Sequence, residues 1–188
     1  MKLKTSLALA VALLGLGTAA SAQQAPTTTR HGDFLVRCFP VQTGSPCDMY
    51  EEVGNRDTGQ RLVTFSIAFL PFDNRYVMVI GVPLGVSLEK GVVIATNTFT
   101  TPTMPFRRCD SGGCYVEAAV DKPLIDAFMG ASGEAKLRLS ADGEEKPREL
   151  PLSFNGFTAA HNDMVAQNRA KATKPGAAPA AAPAAPAQ

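Results

Sequence analysis

The chain has few of the residues that hydrolytic enzymes and metal sites require. Its 188 residues include only two histidines and no tryptophan. His31 lies near the start, His161 lies on a predicted helix near the end, and no G-x-S-x-G sequence occurs. The chain therefore offers no suitable set of residues for a catalytic triad, and two histidines so far apart make a poor metal site. We predict no catalytic residue, no bound metal and no cofactor.

Motifs for phosphate binding, glycoside hydrolysis and thiol redox chemistry are also missing. The glycines of 111–113 lack the lysine and the helix of a P-loop. Glu51 and Glu52 are adjacent on a strand and should point apart, whereas paired carboxylates of glycosidases face each other across roughly 5–10 Å. Cys109 and Cys114 have four residues between them, unlike the C-x2-C pair of thiol oxidoreductases. We therefore predict that the protein is not an enzyme.

Long apolar runs are confined to the first residues. Lys2 and Lys4 precede an apolar run over 7–16, and the small residues 20–22 follow it. This is the pattern of a cleaved secretory signal peptide. We predict that residues 1–22 are removed and that the mature chain lies in the periplasm, at the outer surface or in the medium. No later run approaches the roughly 20 apolar residues that a membrane span needs.

Neither sign of charge dominates the mature chain. Removal of the two lysines in residues 1–22 leaves 16 basic and 17 acidic groups, a net charge of about −1. This balance argues against nucleic acid as a partner. It also provides no long-range attraction to anionic lipid.

Four cysteines remain after the predicted cleavage: Cys38, Cys47, Cys109 and Cys114. An even number in an oxidising compartment favours disulfides over free thiols, and the spacings do not match the C-x2-C pattern of zinc sites. Three connectivities are possible. We predict the local pairs Cys38–Cys47 and Cys109–Cys114, because each pair brackets turn residues between strand-like runs. We expect the second bridge to contribute more stability, because the strand after Cys114 continues into the core.

Strand-like patterns fill most of the mature chain. Alternating or continuous apolar residues over short stretches indicate strands, and these stretches are 33–39, 47–50, 62–70, 76–80, 92–95, the two arms of a hairpin at 105–120, 135–140 and 150–154. Alternation places Phe34, Val36 and Cys38 on one face of the first run, and predicts that Leu137 and Leu139 point inward in a later one. With two short helices, these runs predict an all-β sandwich.

The two helices differ in how clearly the sequence marks them. Asp121 is a predicted N-cap, Pro123 lies in the first turn, and Gly130 ends the first helix. The second helix is predicted over 157–169, with Phe157, Ala160 and Met164 on its packed side. We expect His161 on the opposite, exposed side. The predicted organisation is a mobile lead-in at 23–32, one domain at 33–169 and a disordered Ala/Pro-rich tail at 170–188.

Three separated motifs carry a family resemblance. They are Val82-Pro83-Leu84-Gly85-Val86-Ser87-Leu88, Pro105-Phe106-Arg107-Arg108-Cys109-Asp110 with Gly113-Cys114, and Leu152-Ser153-Phe154-Asn155-Gly156-Phe157-Thr158-Ala159-Ala160. Over nearly the whole mature domain the chain resembles the invasion-associated locus B family. The resemblance implies an exported protein of Gram-negative bacteria with an immunoglobulin-like β-sandwich, linked in some intracellular pathogens to host-cell entry. The chain departs from the family in having Phe34 where the first strand usually presents Trp.

The resemblance brings no catalytic residues with it. We therefore predict an exported interaction protein with a protein partner, which contributes to host-cell invasion or virulence. The alternative is a periplasmic accessory subunit or folding factor of an envelope complex, which would use an exposed edge strand to bind its partner. Arg107 and Arg108 are the candidate partner-binding residues. Neighbours on a strand point to opposite sides, so one can pack at the edge of the core while the other meets a partner; a merely solvated pair is the other interpretation.

Overall fold

The computed structural model describes residues 24–131 and 133–174, which form ten strands and two helices. The strands are β1 (Thr27–His31), β2 (Phe34–Cys38), β3 (Cys47–Gly54), β4 (Arg61–Leu70), β5 (Arg75–Val82), β6 (Val92–Ala95), β7 (Arg108–Asp110), β8 (Gly113–Val120), β9 (Glu134–Leu139) and β10 (Arg148–Ser153). The helices are α1 (Lys122–Gly130) and α2 (Phe157–Lys171). The predicted signal peptide and most of the predicted tail lie outside the described residues.

The strands form two antiparallel sheets. The larger sheet has seven strands in the order β1-β2-β3-β4-β5-β8-β7, and the smaller has three in the order β10-β9-β6. The inward faces of both sheets contribute to one hydrophobic core, which α1 and α2 complete. The prediction of an all-β sandwich with two short helices and two local disulfides is confirmed.

Period-two alternation places the core residues of the strands. In β4 the residues Val63, Phe65, Ile67 and Phe69 are buried, and their neighbours on the other face are partly exposed. In β9 the inward residues are Ala135, Leu137 and Leu139, as the alternation predicts. Successive side chains of a strand point to opposite faces, so each sheet obtains one apolar face.

Helix α1 begins and ends where its sequence signals indicate. The side chain of Asp121 accepts a hydrogen bond from the backbone N–H of Leu124 at 3.0 Å, which satisfies one of the unpaired amides of the first turn. Gly130 is the last residue of the helix, and Ile125 and Phe128 are its buried residues. The helix thereby closes one side of the core.

Helix α2 packs on the inner face of the large sheet through an aromatic cluster. Phe157, in its first turn, lies 5.5 Å from Phe34, 5.7 Å from Phe128 and 5.2 Å from Phe154, measured between ring centroids. Aromatic pairs at such distances contribute beyond the area that they bury. The helix continues to Lys171, two residues past its predicted end.

Residues 27–31 form β1 rather than part of a lead-in without structure. β1 pairs with β2 along its length, from Thr27 opposite Cys38 to His31 opposite Phe34. The prediction missed this strand because its residues are polar and show no alternation of apolar side chains. Gly32, with a φ of +57°, starts the two-residue turn and was the one available signal of a hairpin.

The two disulfides join the cysteine pairs that the spacing favours. Cys38 and Cys47 face each other across β2 and β3, and Cys109 and Cys114 face each other across β7 and β8. The environments of the two bridges differ. Cys38, Cys47 and Cys114 are buried, whereas Cys109 is exposed on the edge strand β7.

This difference reverses the expected ranking of the two bridges. We now expect the double replacement of Cys38 and Cys47 by serine to lower the melting temperature more than the same change at Cys109 and Cys114. The first bridge spans nine residues and the second five, which favours the first by about 0.5 kcal/mol in loop-closure entropy. Serine also replaces two buried cysteines at the first site, against one, Cys114, at the second. Thermal unfolding of the two double variants checks this, and a lower melting temperature for the second would contradict it.

Candidate functional site

The hairpin of β7 and β8 carries both predicted partner-binding residues. The carboxylate of Asp110 accepts a hydrogen bond at 2.8 Å from the backbone N–H of Gly112. This bond and the nearby Arg108 guanidinium hold the pKa of Asp110 below its usual value. Gly113 has a φ of +142°, and a Cβ there would collide with the carbonyl oxygen of Val82. The turn is thus closed by local bonds and by close backbone packing.

Arg108 is held by its neighbours on the hairpin. Its guanidinium lies 4.1 Å from the centre of the Tyr115 ring, which is a cation–π contact. It donates a hydrogen bond to Glu117 at 2.8 Å and also pairs with Asp110. Three neighbouring groups therefore fix the orientation of this side chain.

Arg107 has a different environment from its neighbour. Its backbone N–H donates to the carbonyl oxygen of Tyr115 at 2.8 Å, which ties the segment to β8. Its side chain is exposed, and within residues 24–131 and 133–174 it makes no ion pair. The two arginines thus differ in that only Arg108 takes part in local charge pairs.

His161 is buried, so its predicted exposure is wrong. Its Nε2 lies 3.0 Å from the hydroxyl of Tyr76, and its Nδ1 lies 3.2 Å from the side-chain oxygen of Asn162. Burial lowers the pKa of the imidazole. The helical period contained this information, because His161 follows Phe157 by four residues and therefore lies on the same face.

Glu51 is a second buried polar residue that the sequence did not mark. It lies on the inner face of β3, is 4 % exposed, and accepts a hydrogen bond at 3.0 Å from the backbone N–H of Ser153. Its second oxygen has no hydrogen-bond partner among the described residues. Burial, with a smaller effect of nearby Asp33, raises the pKa of Glu51 to about 8. As predicted, Glu51 and Glu52 point apart, and Glu52 is exposed.

Two further polar contacts fix α2 on the sheet. The amide of Asn168 accepts a hydrogen bond from the backbone N–H of Cys47 at 2.9 Å and donates one to its carbonyl oxygen at 2.8 Å. The Nε2 of His31 lies 2.9 Å from the carboxylate of Asp163. Asn168 is fully buried and lies four residues after Met164, so the helical period again carried the signal.

The described part of the chain has neither a cluster of metal-binding side chains nor a helix suited to span a membrane. Within residues 24–131 and 133–174, no three histidine, cysteine, aspartate or glutamate side chains are grouped so that they could hold a metal ion. The helices of the same residues include none with the length and apolar character required to span a membrane.

The family model described as "Invasion associated locus B (IalB) protein" matches residues 35–165. The chain belongs to this family. Two Brucella abortus proteins, from strain 2308 and from biovar 1 strain 9-941, are named invasion protein B homologues; each is 24% identical over 128 residues, or 68% of this chain and 73% of the relative. The crystal structure of invasion associated protein B from Bartonella henselae has a TM-score of 0.63 and 23% identity, covering 76% of this chain and 99% of that one.

The structure brings two of the three motifs behind the family resemblance together. Val82, which opens the first motif, pairs with Cys114 of the hairpin motif across β5 and β8. The third motif runs from β10 into α2 and supplies Phe154 and Phe157 to the aromatic cluster. In this chain the three motifs therefore hold the hairpin and α2 in place.

Proposed function

We propose that this protein is an exported, non-catalytic interaction protein that contributes to host-cell invasion. The observation that carries the proposal is membership in a family whose Brucella abortus relatives are named invasion protein B homologues. Two further features support it. The first 22 residues have the pattern of a signal peptide, and two disulfides suit an oxidising compartment.

The partner-binding part of the proposal rests on the hairpin of β7 and β8. The Cys109–Cys114 bridge and the bonds of Arg108 order this hairpin before any partner arrives. Prior order lowers the entropy that binding costs. The exposed side chain of Arg107 then provides a cation for an acidic group of a protein partner.

Location is the first part of the proposal to test. Protease treatment of intact cells should cleave the protein if it reaches the outer surface, and mass spectrometry of the mature form should find Gln23 at its N-terminus. A protein that is cleaved only after the outer membrane is opened would favour the periplasmic accessory subunit instead. A mature form that retains Met1 would contradict export with cleavage.

A charge reversal tests the role of the hairpin. We expect Arg107→Glu to weaken binding of the purified protein to host cells about tenfold, since it replaces an attraction at the interface by repulsion. Host-cell entry by a deletion strain that carries this variant should remain low. Arg56→Glu is the matched control, because Arg56 is also exposed and without an ion pair in the described part of the chain.

The control separates a local effect from an effect of net charge. Wild type and Arg56→Glu should both restore entry to the deletion strain. Equal loss with both variants would indicate a response to net charge rather than a site on the hairpin. Full entry by the deletion strain itself would contradict the proposed contribution to invasion.

A further inference from the structure

The two sheets end in four edge strands, which are β1 and β7 in the large sheet and β10 and β6 in the small one. An edge strand presents unpaired backbone N–H and C=O groups, which another chain can use to extend the sheet. Natural proteins therefore shorten, cover or block their edges. Three of these four edges show such protection.

The edge of β6 is covered by the segment that follows it. Val92 and Met104 exchange two backbone hydrogen bonds, at 2.9 and 2.8 Å. The backbone N–H of Thr101 donates to the carbonyl oxygen of Ile94 at 2.9 Å, and the Thr101 hydroxyl accepts from the N–H of Ile94. A partner strand could therefore pair with this edge of β6 only after it had displaced the segment.

The edge of β10 is blocked by a proline and by the buried glutamate. The backbone N–H of Phe154 donates to the carbonyl oxygen of Gly133, so the backbone groups of Phe154 point toward β9. Because these groups alternate along an antiparallel strand, those of Ser153 and Pro151 point to the outer edge. Pro151 has no N–H, and the N–H of Ser153 is bonded to Glu51. The edge of β7 is protected by length, since this strand has only three residues.

The edge of β1 has none of these protections within the described residues. All five positions lie outside the core, three of them are threonine, and none is proline or glycine. His31 and Phe34 flank a two-residue turn, so they form a hydrogen-bonded pair. Hydrogen-bonded pairs recur at every second residue, so the backbone groups of Thr27, Thr29 and His31 face β2. Thr28 and Arg30 direct theirs outward. In residues 24–131 and 133–174, no backbone hydrogen bond reaches this outer side.

β1 is also held firmly, so its free edge is ordered before any partner arrives. Its other side pairs with β2 over five residues. His31 bonds to Asp163 of α2. Gly156, with a φ of +84°, approaches the carbonyl of His31 so closely that a Cβ there would collide with it. An ordered edge costs less entropy to pair than a mobile one.

We propose that β1 pairs with β1 of a second copy of this chain, antiparallel and centred on Thr29, so that the two seven-stranded sheets join into one. In this register Thr28 of each copy exchanges hydrogen bonds with Arg30 of the other. Thr29 lies opposite Thr29 of the second copy in the pair without hydrogen bonds. This association goes beyond the proposed partner binding, because it is between copies of the protein itself.

The sequence of β1 favours its own copy as the occupant. Like charges directly opposite each other destabilise a strand pair. In the antiparallel register the sequence Thr-Thr-Thr-Arg-His places Arg30 opposite Thr28 and His31 opposite Thr27, so no two charged groups face each other. The contact is small, which places it with weak and transient interfaces. The dimer should therefore form with increasing concentration, in the range from about 10 μM to 1 mM.

Site-specific cross-linking tests the register. Thr29→Cys should form a disulfide-linked homodimer on mild oxidation, because the Cα atoms of a pair without hydrogen bonds lie about 4.5 Å apart, within reach of a disulfide. Thr27→Cys is the matched control, because Thr27 lies opposite His31 in this register. We expect at least about tenfold faster linkage for Thr29→Cys. Equal rates for the two variants would mean random collision and would overturn the proposal.

Charge substitutions at the outward positions provide a second test, by sedimentation velocity over a concentration series. Thr28→Glu should strengthen the dimer, because the new carboxylate faces Arg30 of the second copy. Thr28→Arg should weaken it, and adding Arg30→Glu to Thr28→Arg should restore it. Far-ultraviolet circular dichroism should be the same for all, because both side chains are exposed.

Two further results would overturn the proposal. One is a wild-type protein that remains monomeric at about 1 mM. The other is a purified protein that stays monomeric while its Thr29→Cys variant forms a disulfide with a different protein in cell envelopes. In that case β1 would pair with a strand of that protein. These measurements record self-association and cross-linking, so their outcome does not depend on the proposed role in host-cell entry.

Discussion

Phe157→Ala is expected to destabilise the fold by about 3–5 kcal/mol, the usual cost of removing a large buried aromatic side chain. Phe157 is 1 % exposed and contacts the rings of Phe34, Phe128 and Phe154. Its loss leaves a cavity where the first turn of α2 meets β2, α1 and the residue that follows β10. For a domain of this size the melting temperature should fall by roughly 6–20 °C.

Phe72→Ala is the matched control for this prediction. The same side chain is removed, but Phe72 is 52 % exposed in the turn between β4 and β5. We expect a change within about 0.5 kcal/mol. Urea unfolding of both variants with a common slope measures the two values. Similar losses at the two positions would mean that α2 does not contribute to the core as its burial indicates.

Glu51→Gln is expected to change how stability depends on pH. In the folded protein the pKa of Glu51 is raised to about 8, against an ordinary value of 4.5. Between these values the unfolded chain releases the proton and the folded chain keeps it, so the free energy of unfolding falls as the pH rises. The loss should be on the order of 4–5 kcal/mol by pH 8. Glutamine should remove this loss and still accept the hydrogen bond from Ser153.

The measurement is the free energy of unfolding of wild type and Glu51→Gln from pH 4 to pH 9. Their difference should grow from near zero at pH 4 to several kcal/mol at pH 8, in favour of the variant. Buried His161 acts in the opposite direction, since its lowered pKa costs stability as the pH falls below 6.5. Both proteins contain His161, so its effect cancels when the free energy of wild type is subtracted from that of the variant. Glu52→Gln, at the exposed neighbouring position, should run parallel to wild type. A constant difference across the range would show that Glu51 is ionised in the fold.

The contrast between these two residues shows which kind of information the sequence carries. The helical period identified Phe157 as a packed residue, because burial of an apolar side chain is favourable at almost any such position. Burial of Glu51 is unfavourable by itself. It depends on the backbone N–H of Ser153, which lies 102 residues away in the chain. No local pattern contains a contact of that kind.

Apart from β1, the sequence by itself determined the strands of both sheets. It also determined the two faces of β2, the inward residues of β9, the Asp121 cap, the local disulfides and the family. All of these depend on neighbours within a few residues, such as alternation, turn residues and capping side chains. Only the tertiary structure decided that β1 is a strand, that Glu51 is buried, and that the strands divide seven to three. These features arise from contacts between distant segments, because pairing and burial depend on which surfaces meet once the chain has folded. For the same reason the protection of three sheet edges, and the exposure of the fourth within residues 24–131 and 133–174, appear only in the folded molecule.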